Sequence, residues 1–293
     1  MTLNERVKAI FAQGGWLQSA RGGHHLPEQL HYAQSVVEWI KGEAATPVGL
    51  IEGETGTGKT LGYLFPLLLH ASTSDQRAVI STHTIALQNQ IIASDLEVVR
   101  DYFDEHDLVM PKLTQLLGSQ QFVDPNRVRW AVASQDAPSP EHDLLIDWAD
   151  ECARRSSGRI DEWLERFGDL PDGITADQIC MTSNSDPDIN AGFSACRASI
   201  DDAQIVITSH SMIATELGTP CDLIGLNDEH CWLVVADEAD HLPTATDNFM
   251  NRRLLMSRLR RLIEPLLTRP NLRAISRETL RTLDEITSEA QRM

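Results

Sequence analysis

No apolar run in these 293 residues approaches the roughly 20 that a membrane-spanning helix needs. Residues 1–16 carry Glu5, Arg6 and Lys8 without a long apolar core, which excludes a secretory signal; a cytoplasmic location without a membrane partner is the expectation. Cysteine is sparse. Cys152, Cys180, Cys196, Cys221 and Cys231 are odd in number and widely spaced, which argues against a disulfide framework and for reduced thiols. Basic side chains are also scarce: 25 Lys and Arg face 43 Asp and Glu, a net charge of −18, the reverse of the footprint expected of a chain lying along phosphates. The deficit is uneven, with 21 acidic against 8 basic residues over 101–204 but 10 basic against 6 acidic over 244–293, so the tail retains a capacity to face phosphates.

What is present begins with a hydrophobic content of 42%, enough for a sizeable core. Gly53-Glu54-Thr55-Gly56-Thr57-Gly58-Lys59-Thr60 lies between the apolar run Val48-Gly49-Leu50-Ile51, which reads as a strand buried on both faces, and a segment with Leu61, Leu64, Phe65 and Leu68 at helical spacing. In a strand–loop–helix context, glycines let successive backbone N–H groups converge on an anion and the helix N-terminus adds its positive end. Lys59 then reaches the terminal phosphates and Thr60 is left to ligate Mg²⁺. Gly53, Thr55, Gly56, Thr57, Gly58, Lys59 and Thr60 are therefore the expected nucleotide-binding set.

Upstream, residues 26–40 read as a helix started by Pro27, with Leu30, Ala33, Val36, Val37 and Ile40 on one face. Gln29 sits near its start; a primary amide suits an adenine edge, though alone a glutamine early in a helix is far more often plain surface. Downstream, Ala78-Val79-Ile80 runs into Ser81-Thr82-His83-Thr84 and a helix through Ala86, Leu87, Ile91 and Ile92. Hydroxyls at such a junction suit a phosphate or simply cap the helix. Strand character returns at Ile205-Val206-Ile207 and at Trp232-Leu233-Val234-Val235-Ala236. The second of these ends in Asp237-Glu238-Ala239-Asp240-His241, at the carboxyl end of a buried strand where α/β sheets place chemistry. Asp237 is placed to hold Mg²⁺ and Glu238 to orient water, against the plainer reading of an acidic helix start.

These motifs resemble, in order, the Q motif (Pro27-Glu28-Gln29), motif I, motif Ia (Ser81 to Gln90), the strand before motif II (Val206 to Ser211) and motif II of superfamily 2 DNA helicases, specifically the DinG branch of the XPD-like group. The resemblance implies a RecA-like α/β motor domain with a mainly parallel sheet over residues 1–100 and 204–243. An acidic, mainly helical insertion over 101–203 would resemble a vestigial iron–sulfur domain, and 244–293 the start of a helical arch domain. It implies ATP and Mg²⁺ as cofactors, single-stranded DNA as partner, 5′ to 3′ translocation and strand separation. By position, Lys59, Asp237 and Glu238 would be catalytic, Gln29 would read adenine, Thr82, Thr84 and Gln88 would touch or position the strand, and His241 would couple the two sites.

Three departures stand out. Asp124 occupies a position where the group carries an iron–sulfur cysteine, and Ala191-Gly192 stand where another is expected, so no cluster is expected. That loss is similar to the DinG helicases associated with type IV CRISPR systems, which would make a guide-RNA effector complex the partner. Ser209 replaces an asparagine. No later helicase motif follows Asp240, so the chain reads as the amino-terminal part of a longer motor whose second domain is missing, and little ATP turnover is expected of it alone. Beyond Pro243, Leu255, Leu259, Leu262, Leu266 and Leu267 interleave with Arg252, Arg253, Arg258, Arg260 and Arg261 as a basic helix, either a strand-facing surface or a solvated face. Two readings from other classes stay open: a nucleotide-gated binding module, and a P-loop ATPase or kinase acting on a small substrate.

Overall fold

The computed structural model describes residues 1–22, 25–42, 46–54, 56–154, 157–182, 185–218, 223–226, 232–250, 278–279 and 281–282. The chain divides into two compact units, Met1–Ala245 and Thr246–Met293; the first carries everything discussed below. The basic helix expected over residues 252–267, and with it most of the expected arch segment, lies outside the described residues, as do Thr55, Cys221 and Cys231.

Three helices open the chain: α1 (Leu3–Phe11), α2 (Trp16–Arg21) and α3 (Pro27–Ile40). Thr2 caps α1 in a reciprocal box with Glu5, and Pro27 starts α3, its fixed φ suiting a first helical turn. Then follow α4 (Lys59–Ala71), β1 (Arg77–Thr82), α5 (Ile85–Gln90), a π-helical turn over Ile91–Asp95, α6 (Leu96–Glu105) and β2 (Leu113–Gln115). The sheet is completed by β3 (Ile205–Ser209), α12 (His210–Gly218) and β4 (Trp232–Ala236), after a helical segment that contains α7 to α11.

The four strands form one sheet in the order β2-β3-β1-β4, and every pairing is parallel. Period-two alternation sends Ala78 and Ile80 of β1, with Ile205 and Ile207 of β3, into a core shared with α3, α4 and α6. Val79 and Val206 face the opposite side, against Leu116, Ile200, Ile213 and Ile224. Both sheet faces are thus covered, as a parallel sheet requires and as the strand–helix alternation predicts. Helix α4 is the inner helix: Tyr63, Leu64, Phe65, Leu67 and Leu68 are almost wholly buried, each such large apolar side chain contributing about 1.5–3 kcal/mol. Its Phe65 meets Phe11, Trp16 and Tyr102 edge-on, at centroid distances of 5.5, 6.0 and 5.5 Å.

Two strand expectations need correction. Val48–Ile51 is not a buried strand: it has no ladder partner among the described residues, and Val48 and Leu50 are 73% and 91% exposed. A strand exists only through its neighbours. The strand of the sheet's last position, β4, pairs among the described residues only with β1, and its Val234 is 40% exposed. Conversely β2, within the span expected as insertion, pairs with β3 in register Leu113↔Ile205, Thr114↔Val206 and Gln115↔Ile207. Three residues carry too little pattern to announce a strand.

The segment between β2 and β3 comprises α7 (Pro125–Ala133), α8 (Pro140–Cys152), α9 (Ile160–Phe167), α10 (Ala176–Ile179) and α11 (Ala191–Ala198). It has its own core, built around Val123, Val128, Leu145, Trp148, Trp163 and Ile179. Asp124, at the expected cysteine position, caps α7: its Oδ1 accepts from the backbone N–H of Asn126 (3.0 Å) and Arg127 (3.3 Å), and its Oδ2 from the Ser185 hydroxyl (2.8 Å). Asn190 caps α11 and donates through Nδ2 to the carbonyls of Val123 and Gly158. A Cβ at Gly192 would lie 2.2 Å from the Ser157 carbonyl oxygen, so a cysteine cannot occupy that position on this backbone. Burial raises the Cys180 thiol to about 12 and raises that of Cys196.

Candidate functional site

Gly56 (φ +82°) and Gly58 (φ +70°) adopt the left-handed backbone that lets the 53–58 loop turn back on itself and enter α4. The Lys59 ammonium donates to the carbonyls of Gly53 (2.8 Å) and Glu54 (3.2 Å), and the Thr57 hydroxyl to Glu54 (2.8 Å), so the loop's own oxygens tie it together. Gln29 is buried and donates through Nε2 to the Gly58 carbonyl at 2.9 Å. Its amide therefore buttresses the phosphate loop directly. A cavity of about 360 Å³ opens beside it, lined by Phe11, Leu17, Arg21, His25 and Leu26.

The acidic pair meets the same helix. Asp237, at the end of β4, accepts the Tyr63 hydroxyl at Oδ2 (2.9 Å) and its own chain's Glu238 N–H at Oδ1 (3.0 Å). Tyr63 lies four residues after Lys59, one turn along the same helix face. The helix that follows the phosphate loop and the acidic pair are thus joined by one hydrogen bond. Glu238 sits in the left-handed region (φ 55°, ψ 49°), an uncommon conformation for a side-chain-bearing residue, before a short 3₁₀ turn over Ala239–His241. Burial and the Asp237 charge push the Tyr63 hydroxyl well above its ordinary value and that of Tyr32 to about 12. Asp95, in the π-helical turn, is also raised, by burial and by Asp237, and its Oδ2 is buried without a partner among the described residues.

The Thr60 hydroxyl in the first turn of α4 and the Asp237 carboxylate, bonded one turn further along at Tyr63, are hard-oxygen donors of the kind Mg²⁺ takes, with water and phosphate completing its shell. No group of three or more His, Cys, Asp or Glu is clustered to hold a metal among the described residues.

Motif Ia stands alongside. Thr82 is fully buried, its hydroxyl donating to the Thr84 carbonyl (2.9 Å), while the Thr84 hydroxyl caps α5 by accepting from Leu87 N (3.2 Å). Gln88 is also buried, its Oε1 accepting from Gln115 (3.1 Å). Of the three expected strand contacts, only Thr84 is exposed; Thr82 and Gln88 hold the loop from beneath. Ser209 caps α12, accepting from Met212 N at 3.3 Å, which supplies the local role left open by its replacing asparagine. His241 stacks on His83 with ring centroids 4.0 Å apart and planes 17° from parallel. Tyr63, Tyr32 and Asp95 lie beside Asp237, and His83 beside His241, neighbours that motif reading missed. For Tyr63 the signal was available: a polar side chain at i+4 from the phosphate-loop lysine.

The DEAD/DEAH box helicase family matches residues 31–121, from α3 through the phosphate loop and motif Ia to the start of the insertion. The ATP-dependent helicase DinG of Mycobacterium tuberculosis (strain ATCC 25177 / H37Ra) is 26% identical over 243 residues, covering 75% of this chain and 36% of that protein. The ATP-dependent DNA helicases DinG of Escherichia coli (strain K12) and Salmonella choleraesuis (strain SC-B67) are each 28% identical, over 214 and 216 residues, covering 66% of this chain and 28% of theirs. The chain therefore spans about a third of the length of these relatives. Residues 31–121 are thus similar to the DEAD/DEAH box helicase family, and over most of its length the chain is similar to the DinG helicases.

Proposed function

We propose that this chain is the nucleotide-binding motor part of an ATP-dependent DNA helicase that couples hydrolysis to 5′ to 3′ movement on single-stranded DNA and to strand separation. The observation that carries the proposal is the Tyr63–Asp237 hydrogen bond, which ties the acidic pair to the helix that begins at Lys59. Lys59 exchanges its loop carbonyls for phosphate oxygens, joined by the N–H groups of residues 56–60. Thr60 and Asp237 would hold Mg²⁺, which would supply charge neutralisation on the transferred phosphoryl group. Glu238 accepts a proton from the attacking water and orients it. Gln29 supports the loop and presents its amide oxygen towards the base. Thr84 contacts the strand backbone over a floor of Thr82 and Gln88, and His241 links the two sites.

We place the insertion at residues 117–199, later than the sequence boundary, since β2 pairs in the motor sheet. The Asp124 cap and its Ser185 contact support an insertion without an iron–sulfur cluster, and with it kinship to the type IV CRISPR-associated branch, whose partner would be a guide-RNA effector complex. A cytoplasmic setting follows from that role; no helix among the described residues is long and apolar enough to cross a membrane. The test is ATP turnover by the intact protein with and without single-stranded DNA. Turnover stimulated by DNA, and reduced about 100-fold or more by Lys59→Ala and by Glu238→Gln, is expected. Turnover indifferent to DNA overturns the helicase reading in favour of a small-substrate ATPase. Binding of both ligands without turnover would favour a nucleotide-gated binding module. Stoichiometric iron with visible absorbance would overturn the cluster-free insertion.

A further inference from the structure

We propose that His83 is the positioning residue through which the acidic turn and the motif Ia loop move together, by its ring stack on His241. The inference rests on the helicase reading and adds a specific contact to it. Three chain segments meet at this point. The acidic turn is anchored to β1 by the Asp237 N–H, which donates to the Ser81 carbonyl at 2.8 Å. The Ser81 hydroxyl in turn pairs with His210 Nδ1 at 2.9 Å, and the His210 ring lies 6.5 Å from that of His83.

His83 itself projects from an exposed position between Thr82 and Thr84, and its ring lies flat on His241. The loop on either side of it cannot move independently, because the Thr82 hydroxyl holds the Thr84 carbonyl and the Thr84 hydroxyl holds the first turn of α5. On the other side, His241 ends the 3₁₀ turn that follows Glu238, whose left-handed backbone is a conformation held by its surroundings and open to adjustment. Displacement of Glu238 by a bound nucleotide is thus delivered to His241, across the stack to His83, and into the loop that bears Thr84. The coupling is mechanical: neither ring touches substrate, and no proton is transferred.

One aromatic stack supports a coupling factor of about two- to tenfold between the sites. The experiment measures the affinity of the intact protein for fluorescein-labelled oligo(dT), with and without AMP-PNP and Mg²⁺, for the parent, His83→Ala, His83→Phe, His241→Ala and the double alanine variant. In the parent, AMP-PNP is expected to shift oligo(dT) affinity by that factor. His83→Ala should abolish the shift while leaving AMP-PNP affinity, and oligo(dT) affinity without nucleotide, within about twofold. His83→Phe, which keeps a ring, should retain the shift, and the double variant should match either single one. A shift that persists in His83→Ala, or losses that add in the double variant, overturns the proposal and leaves the helicase reading standing. A parent protein that binds neither ligand overturns both.

Discussion

Replacing Gly58 by alanine separates two roles of a phosphate-loop glycine, because the structure gives each a different geometric signature. Both Gly56 and Gly58 have left-handed backbones, so a methyl group at either costs about 1–2 kcal/mol in conformational strain. At Gly56 a Cβ would meet nothing within 4 Å, and strain is the whole cost. At Gly58 the Cβ would lie 2.2 Å from Gln29 Nε2. The amide must withdraw, and its 2.9 Å bond to the Gly58 carbonyl is lost, adding about 1 kcal/mol. Gly58→Ala should therefore destabilise the nucleotide-free chain by about 2–3 kcal/mol and Gly56→Ala by about 1–2 kcal/mol, read by urea unfolding. The excess should vanish when both are made in a Gln29→Ala background, since the clash and the bond are then already gone. Titration with a fluorescent ATP analogue gives an independent readout, in which the excess of about 1 kcal/mol corresponds to about a fivefold further loss of affinity. Equal costs at the two glycines, or an excess that survives in Gln29→Ala, would refute the buttress role assigned to Gln29.

Other outcomes follow from single contacts. Glu216 is fully buried, and its carboxylate accepts from the N–H groups of Leu223, Ile224, Gly225 and Leu226 at 2.6–3.2 Å. Glu216→Gln turns an NH₂ group towards two of those donors and should cost about 2–4 kcal/mol in urea unfolding; less than about 1 kcal/mol would show that this anchor is dispensable. Asp124→Ala removes the α7 cap and the Ser185 contact together and should destabilise the insertion by about 1–3 kcal/mol, visible as earlier proteolysis of residues 117–199 at unchanged AMP-PNP affinity. Burial lowers the His210 ring below its ordinary 6.5, with the backbone of Glu238 and Asp237 offsetting this in part. The unfolded chain then takes up the proton first, so stability is fully present above about pH 6.5 and is lost as pH falls through the folded value. Thermal unfolding between pH 7.5 and 5 should show this loss in the parent and a flatter profile in His210→Gln.

The phosphate loop, the acidic pair and the strands β1, β3 and β4 were legible in the sequence, because each depends on local chemistry: glycines where the backbone turns left-handed, carboxylates at a strand end, β-branched runs flanked by helical spacing. The helix started by Pro27 was legible for the same reason. Val48–Ile51 was misread because apolar character says nothing about whether a neighbouring strand is there to pair with, and β2 was missed because pairing with β3, not its own three residues, makes it a strand. Tertiary structure alone decided that Tyr63 reaches across to Asp237, that Gln29 turns to the Gly58 carbonyl, that Thr82 and Gln88 lie beneath the surface, and that His83 and His241 stack. These partners are separated by 174, 29 and 158 positions where they meet in pairs, and no periodicity connects residues so far apart. Residue type sets what each group can do, whereas the parallel sheet, by delivering every strand's carboxyl end to one edge, sets which groups do it together.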